Sequence, residues 1–283
     1  MKKLVLFLSA VGLSFGLATA QETELVNGFN PLSYKPIHDS DIMYRKTVLR
    51  RLDLREMQNQ PLFAKGNEIS KLIIEGVKEG IITPYKNDSL KTKLTIDEFL
   101  KSIELPSFDD GGSSGGDDFG DDFSWDEEGD ETVEEEPAAP SVEYFYPKDL
   151  YLMEIKEDVI FDKQRSRQYY DILAFNFFLS ADHPDNIKGI DVPIASFSYK
   201  ELVEKLFKDN PNALWYNPYN DHEHRNLTDA FELRLFHGYI IKVSNPNDAY
   251  LIDIYGGDPK TGMMASQWKA FEMLEYEHNL WEF

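Results

Sequence analysis

The sequence contains no cysteine among its 283 residues. It therefore cannot form a disulfide or hold a metal through thiolates, and it offers no thiol to which a lipid could be attached. Long apolar runs are also scarce, because no stretch after residue 20 approaches the roughly 18 apolar residues that cross a bilayer. We therefore expect no direct membrane insertion, and any attachment to a membrane would pass through a partner protein.

Basic residues are few as well: 29 Lys and Arg stand against 51 Asp and Glu, a net charge of -22. Residues 21–105 are balanced at 13 of each sign, whereas residues 106–142 hold 14 acidic groups and no basic one. Residues 143–283 hold 14 basic and 24 acidic groups. Nucleic acid binds to basic surfaces, so this charge distribution excludes it as an expected partner.

Recognisable catalytic motifs are absent: the chain has no GxSxG motif, phosphate-binding glycine loop or dinucleotide fingerprint. One cluster remains as a candidate metal site, formed by Asp221, His222, Glu223 and His224. A zincin helix needs its second histidine four positions after the first, where this chain has Asn226. A solvated loop before a helix is the simpler interpretation, so we predict no catalytic residue, metal or cofactor.

The first twenty residues have the pattern of a secretory signal peptide. Two lysines precede an apolar run, and Ala18-Thr19-Ala20 provides a small-residue cleavage site. We expect residues 1–20 to be removed and the exported chain to begin at Gln21. With 42% hydrophobic and 13% aromatic residues, the remainder can bury a core.

Residues 107–142 are rich in Gly, Asp, Glu, Pro and Ser, which predicts a disordered acidic linker. Two other interpretations stay open. The carboxylates could bind calcium, although no loop spacing with Gly at position six and Glu at position twelve can be placed there. Alternatively, Phe119, Phe123 and Trp125 could dock onto a basic, apolar partner surface.

The segments on either side of this stretch have similar patterns and predict two small α+β modules, residues 21–106 and 143–283. In each, a helical apolar pattern is followed by a Pro-Tyr pair and a second helix. Thr95 and Glu98 form a capping box for one second helix, and Thr228 is the expected cap of the other. The matching strand-helix-strand-helix order indicates a possible internal duplication, although such an order also recurs by chance.

Several strands and a final helix can be placed in the second module. DILAFNFFLS, from Asp171, predicts a buried strand, and residues 239–243 and 250–255 predict a hairpin around Asn245-Pro-Asn-Asp248. Short half-buried strands are expected at Leu52 to Leu54 and at Val159 to Phe161. The stretch from Met264 to Phe283 predicts an amphipathic closing helix.

The densest basic cluster lies in the first module. We hypothesise that the acidic linker folds over this cluster before assembly and leaves it when a partner binds. The simpler alternative is that these side chains support the fold or contact a partner directly. The cluster consists of Arg45, Lys46, Arg50, Arg51 and Arg55.

Four motifs, spread over nearly the whole exported chain, resemble the GldN/PorN family of gliding-motility and type IX secretion proteins of Bacteroidetes. They are SDIMYRKTVLRRLDLREMQNQPLF from Ser40, EDVIFDKQRS from Glu157, LTDAFELRLFHGYIIK from Leu227 and YEHNLWEF from Tyr276. The acidic stretch has no counterpart in this resemblance.

The resemblance implies a non-enzymatic structural protein of the periplasm, held at the outer membrane by a lipoprotein of the GldK/PorK type. It also implies self-association in a ring and a link to the GldM/PorM-type part of the secretion motor. It supplies no catalytic residues. Two alternatives stay open: a periplasmic metallohydrolase using the cluster at Asp221 to His224, and an acidic calcium-binding module.

Overall fold

Five antiparallel strands form the main sheet, and a long strand from the N-terminal half of the chain lies inside it. The computed structural model describes residues 25–105 and 143–280. The predicted signal peptide, the acidic stretch 107–142 and its Phe119, Phe123 and Trp125 lie outside these residues. The strand order in the sheet is β6-β5-β4-β1-β9. The strands are β1 (Ile42–Asp53), β2 (Phe63–Ala64), β3 (Asn67–Glu68), β4 (Leu152–Asp162), β5 (Arg167–Leu179), β6 (Val192–Ser198), β7 (Leu214–Trp215), β8 (Arg225–Asn226) and β9 (Tyr239–Val243).

Six helices pack around this sheet. Tyr199–Glu201 continues directly into a π-helical turn, Leu202–Phe207. The two-stranded pairs β2-β3 and β7-β8 each precede a helix. The α+β class is therefore confirmed. The helices are α1 (Ile69–Lys78), α2 (Ile96–Ser102), α3 (Tyr199–Glu201), α4 (Leu227–Glu232), α5 (Leu251–Ile254) and α6 (Pro259–Leu280).

The prediction of two separately folded modules, 21–106 and 143–283, is wrong. Strand β1 pairs with β4 along almost its whole length and with β9 on its other side. One apolar core also joins residues from both segments, including Leu52 and Val77 with Phe175 and Phe207. A single strand cannot bury its apolar side chains alone, so β1 is stabilised by strands that come later in the sequence.

The two ends of the acidic stretch lie side by side. The Leu105 N–H donates to the Glu143 carbonyl at 2.9 Å, and the Phe145 N–H donates to the Ile103 carbonyl at 2.8 Å. Residues 105 and 143, which flank the acidic stretch, are therefore neighbours in the fold. The flanking residues of a spacer between two separate bodies would not be paired in this way.

Two apolar clusters lie along the same face of the β1-β4 pair. The register aligns Val48 with Glu157 and Leu52 with Met153, and in an antiparallel pair these four side chains point to the same face. Leu52 and Met153 belong to the main core, which includes the buried phenylalanines of β5, β6 and α4. Val48 belongs to a smaller cluster that α5 and α6 cover, made of Val48, Val159, Ile240, Val243, Leu251 and Ala265.

The local predictions had mixed outcomes. The capping box of α2 is confirmed: the Thr95 hydroxyl accepts from the Glu98 N–H at 3.2 Å, and the Glu98 carboxylate accepts from the Thr95 N–H at 2.9 Å. The buried strand from Asp171 is confirmed within β5. Helix α4 is capped by Asn226 instead of Thr228, because the Asn226 side chain accepts from the Thr228 N–H at 2.8 Å.

Only the first strand of the predicted hairpin, residues 239–243, is present. Residues 239–243 form β9, but the second half of the pattern forms the short helix α5. The Asn245 side chain bonds to both backbone groups of Ala249 and so closes the turn away from β9. Leu251 then packs into the small cluster beside Val243, and this burial favours a helical turn over a second strand.

The closing helix α6 is confirmed, but the internal duplication is not shown. The segment before the acidic stretch contributes one strand to the sheet, whereas the segment after it contributes four. The first helix of the earlier segment is a regular α-helix, while its counterpart is a π-helical turn.

Candidate interaction surfaces

A buried ion cluster separates the two apolar clusters. The Glu157 side chain is fully buried and accepts from Arg50 Nε at 3.1 Å and from Arg234 Nη1 at 2.7 Å. Arg234 also lies over the Tyr170 ring, 4.1 Å from its centroid. One carboxylate thus pairs with two guanidinium groups that come from distant parts of the sequence, and these pairs join β1 to the loop after α4.

A second ion cluster lies on the opposite face of the sheet. Arg51 Nη2 donates to Glu154 at 2.6 Å, and its Nη1 donates to Asp191 at 2.8 Å. Burial raises the pKa of the Glu154 carboxyl, although the Arg51 charge opposes that shift. The guanidinium is therefore held by two carboxylates that belong to the fold itself.

The remaining side chains of the predicted basic cluster are more accessible. Arg55 pairs with Asp53 at 2.8 Å and lies 3.5 Å from the centre of the Tyr151 ring. Arg45 is exposed and Lys46 is half-buried. Three of the five residues in the predicted basic cluster are thus already paired within the fold. That the basic cluster contacts a partner or binds the acidic stretch stays a prediction. Binding through the three paired arginines would require them to give up their present carboxylate partners.

Two carboxylates face each other behind the small cluster. Asp158 and Asp171 are cross-strand neighbours of β4 and β5, and both line a small cavity together with Arg45. Burial and the charge of Asp158 raise the pKa of Asp171 to about 7. Asp158 accepts from the Thr47 hydroxyl at 2.6 Å.

The cluster at Asp221 to His224 lies in the loop between β7 and β8. The His224 Nδ1 accepts from the Asn217 N–H at 3.1 Å, and its ring packs on Tyr216. Asp221 accepts from the Tyr216 hydroxyl at 3.1 Å. Within residues 25–105 and 143–280, no group of three or more histidine or carboxylate side chains is placed to hold a metal ion.

Helix α6 exposes its largest apolar side chains. Its inner face is made partly of small residues: Ala265 and Ser266 are buried, and a Cβ at Gly262 would lie 3.2 Å from Ile252. The outer face carries five large apolar side chains, each 60–68% exposed: Met263, Met264, Trp268, Phe271 and Leu274. We call this set the outer face of α6. The expectation of an ordinary amphipathic helix is therefore wrong, because close packing uses the small side chains and leaves the large ones outside.

An open groove runs between α6 and the end of the sheet. Its cavity volume is about 590 Å³, and its lining includes Tyr44, Lys46, Asn245, Glu272 and Tyr276. The Tyr44 and Tyr276 rings are 4.6 Å apart, so they join β1 to α6 across the groove. The groove and the outer face of α6 therefore lie at the same end of the molecule.

Sequence reasoning missed the outer face of α6, although the residues that form it were visible. The spacing 264, 268, 271 and 274 follows one side of a helix, but the opposite side also contains apolar residues such as Met273. The sequence alone therefore did not show which side the protein buries.

These features define an α+β protein. Its clearest candidate site is the outer face of α6, because exposed patches of large apolar side chains are typical of surfaces that bind another protein chain. The model of the family described as gliding motility associated protein GldN matches residues 37–282, and the chain belongs to this family. A search of the curated proteins finds no match. In the described part of the chain, no helix combines the length and the apolar composition needed to cross a membrane.

Proposed function

We propose that this protein is a non-enzymatic structural component of the gliding-motility and type IX secretion machinery. Family membership supports a role in gliding motility. The basic start, apolar run and small-residue site of residues 1–20 support export to the periplasm. In this proposal the protein associates with the outer membrane through a lipoprotein of the GldK/PorK type and not through its own chain.

The observation that carries the proposal is the outer face of α6. Five large apolar side chains on one helix face form a surface that a monomer seldom leaves uncovered. Such a surface fits a protein that works by assembly into a larger structure, here a ring built with the lipoprotein and in contact with the GldM/PorM-type motor part.

A pull-down from the native cell envelope tests the assembly. The tagged full-length protein is expected to bring down an outer-membrane lipoprotein in mild detergent. In a strain without that lipoprotein, the tagged protein should leave the outer-membrane fraction or be degraded. Retention in the outer-membrane fraction without any lipoprotein partner would contradict the proposal.

A surface variant and its control connect the assembly to α6. Trp268→Glu places a charge in the outer face and is expected to reduce the recovered lipoprotein or the recovered copies of this chain. Ile187→Glu, at a comparably exposed apolar side chain outside α6, serves as the matched control. Metal analysis of the purified protein tests the hydrolase alternative, and bound zinc at one ion per chain would favour it.

A further inference from the structure

The outer face of α6 has the spacing of a helix that packs against another helix. Lys260, Met264, Gln267, Phe271 and Leu274 follow one another at intervals of four, three, four and three residues. This spacing keeps one narrow stripe of a helix facing a partner along its length. Met263 and Trp268 flank the stripe and are equally exposed.

The charges on this face have opposite signs at its two ends. Lys260 lies near the start of α6 and Glu275 near its end, and both are exposed. Within the described residues neither of them has an ion-pair partner, whereas the neighbouring Lys269 and Glu272 pair with each other at 2.6 Å. A helix with this arrangement is complementary in charge to an antiparallel copy of itself.

We propose that the outer face of α6 binds the same face of a second copy of this chain, with the two helices antiparallel. Alignment of Met264 with Leu274 of the second copy puts the two-fold axis at position 269. Gln267 then lies opposite Phe271 of the second copy. Lys260 comes within about one helical turn of Glu275 of the second copy, a distance its side chain can bridge.

The exposed area is large enough for a specific but modest interface. Five side chains of this size, each at least 60% exposed, present on the order of 600 Å² of apolar surface per copy. Two copies together would bury about 1,200 Å², the lower end of the range for specific protein interfaces. We therefore expect association in the micromolar range.

The acidic character of the chain does not prevent this pairing. The net charge is -22, but charges beyond a Debye length of about 8 Å are largely screened at physiological salt. Of the charges close to the helix pair, Lys260 and Glu275 attract across the interface, and the Lys269–Glu272 pair is already neutral.

This inference deepens the proposed function, on which it rests in that respect, since it assigns one surface to self-association of the chain. A two-fold contact closes as a dimer, so a ring of such dimers would need a second, different contact. The test of the inference uses the purified protein alone and is therefore independent of the lipoprotein. A purified chain that stays monomeric while the envelope pull-down succeeds would overturn only the present inference. A purified chain that dimerises through α6 while no lipoprotein is recovered would overturn only the assembly with the lipoprotein.

The first experiment measures association of the chain from Gln21 onward by sedimentation velocity over a range of concentrations. The wild type should form dimers, and Phe271→Glu should raise the dissociation constant at least tenfold. Ile187→Glu is the matched control and should leave the dissociation constant unchanged. A wild type that is monomeric at all accessible concentrations, or a dimer that Phe271→Glu does not weaken, would overturn the proposal.

A charge exchange distinguishes the antiparallel pairing from other contacts. Lys260→Glu alone and Glu275→Lys alone each place like charges together at both ends of the interface, so each should weaken association about two- to fivefold. The double exchange restores opposite charges and should recover the wild-type dissociation constant. Additive weakening in the double variant would contradict the pairing.

Cross-linking tests the direction of the helices, and the absence of cysteine makes single-cysteine variants unambiguous. In the antiparallel pair, two Gln267→Cys positions are offset by only about 6 Å along the helix axis, whereas two Met263→Cys positions are offset by about 18 Å. A short bismaleimide should therefore link Gln267→Cys dimers and not Met263→Cys dimers. Equal cross-linking of both variants would indicate parallel helices and overturn the arrangement.

Discussion

The two ends of one sheet face are stabilised very differently. The main core contains 34 buried apolar residues, drawn from strands and helices on both sides of the acidic stretch. The cluster under α5 and α6 contains six. The ion cluster of Arg50, Glu157 and Arg234 lies between them. Since apolar burial scales with the area removed from water, the main core provides most of the free energy of folding.

The opposite face of the sheet also adds little stability at the position of the smaller cluster. On the opposite face of the same strands, Asp158 and Asp171 lie side by side, and like charges at this spacing repel. The end of the molecule that carries the outer face of α6 is therefore the end with the smaller core. We infer that the main core maintains the fold, while the α6 end is left to obtain part of its stability from a partner.

The largest expected effect comes from the main core. Phe175 is fully buried, so Phe175→Ala should lower the free energy of unfolding by about 3–5 kcal/mol in urea denaturation. Phe271→Ala, on the outer face of α6, should change it by less than about 0.5 kcal/mol when measured on monomeric protein. Similar losses of unfolding free energy in the two variants would show that the two ends do not differ in this way.

The carboxylate pair gives the next largest effect, and its size depends on pH. The pKa of Asp171 is raised to about 7 in the folded state, above the value of about 3.9 in an unfolded chain, so folding favours the protonated acid. The contribution of Asp171 to stability should therefore be fully present below about pH 4 and should be lost as the pH rises to about 7.

Asp171→Asn replaces the acid with a neutral side chain and tests this dependence. The variant should be more stable than the wild type by about 3 kcal/mol at pH 8, and its stability should vary less between pH 4 and pH 7. Asp253→Asn, at an exposed aspartate, is the control. A stability difference between wild type and Asp171→Asn that does not change between pH 4 and pH 8 would contradict the raised pKa.

Disruption of the ion cluster of Arg50, Glu157 and Arg234 should lower the free energy of unfolding by a somewhat smaller amount. Glu157→Gln preserves the side-chain shape but leaves Arg50 and Arg234 without their counter-charge. We expect a loss of about 2–3 kcal/mol, less than for a fully buried pair because both arginines retain some exposure. Glu272→Gln removes an exposed ion pair and should be nearly neutral in the same thermal or urea measurement.

The smallest effect should be local to the α6 end. Leu251→Ala in the small cluster should cost about 2 kcal/mol, the low end for such a change, because the cluster is open and can rearrange. Hydrogen exchange should become faster in α5 and α6 while the amides of β4 and β5 keep their protection. Faster exchange in both regions would show that the two ends unfold together.

Local features of this fold could be predicted from the sequence, but its long-range pairing could not. The Thr95 and Glu98 capping box and the buried strand from Asp171 depend on residues close in sequence, and both predictions are confirmed. The pairing of β1 with β4 depends on contacts across the acidic stretch, including Arg50 with Glu157 and Arg51 with Glu154. Each arginine has many carboxylates to choose from in so acidic a chain, so the sequence does not determine these pairs.

The outer face of α6 could not be predicted from the sequence, for a different reason. Residues 264, 268, 271 and 274 show a helical stripe, but a stripe of large apolar side chains is usually buried, and this one is exposed. The decisive feature is the close approach of α6 at Gly262 and Ala265, which depends on the position of α5. Packing distance between helices is a property of the folded molecule and has no direct sign in the sequence.

The hydrogen bond between Leu105 and Glu143 has a consequence for how the acidic stretch can vary. Because the fold already holds these two residues together, the entropy of closing the intervening chain rises only with the logarithm of its length, by about 0.6 kcal/mol for each doubling. A change in the length of the connection between Leu105 and Glu143 should therefore cost the sheet little free energy through chain closure alone.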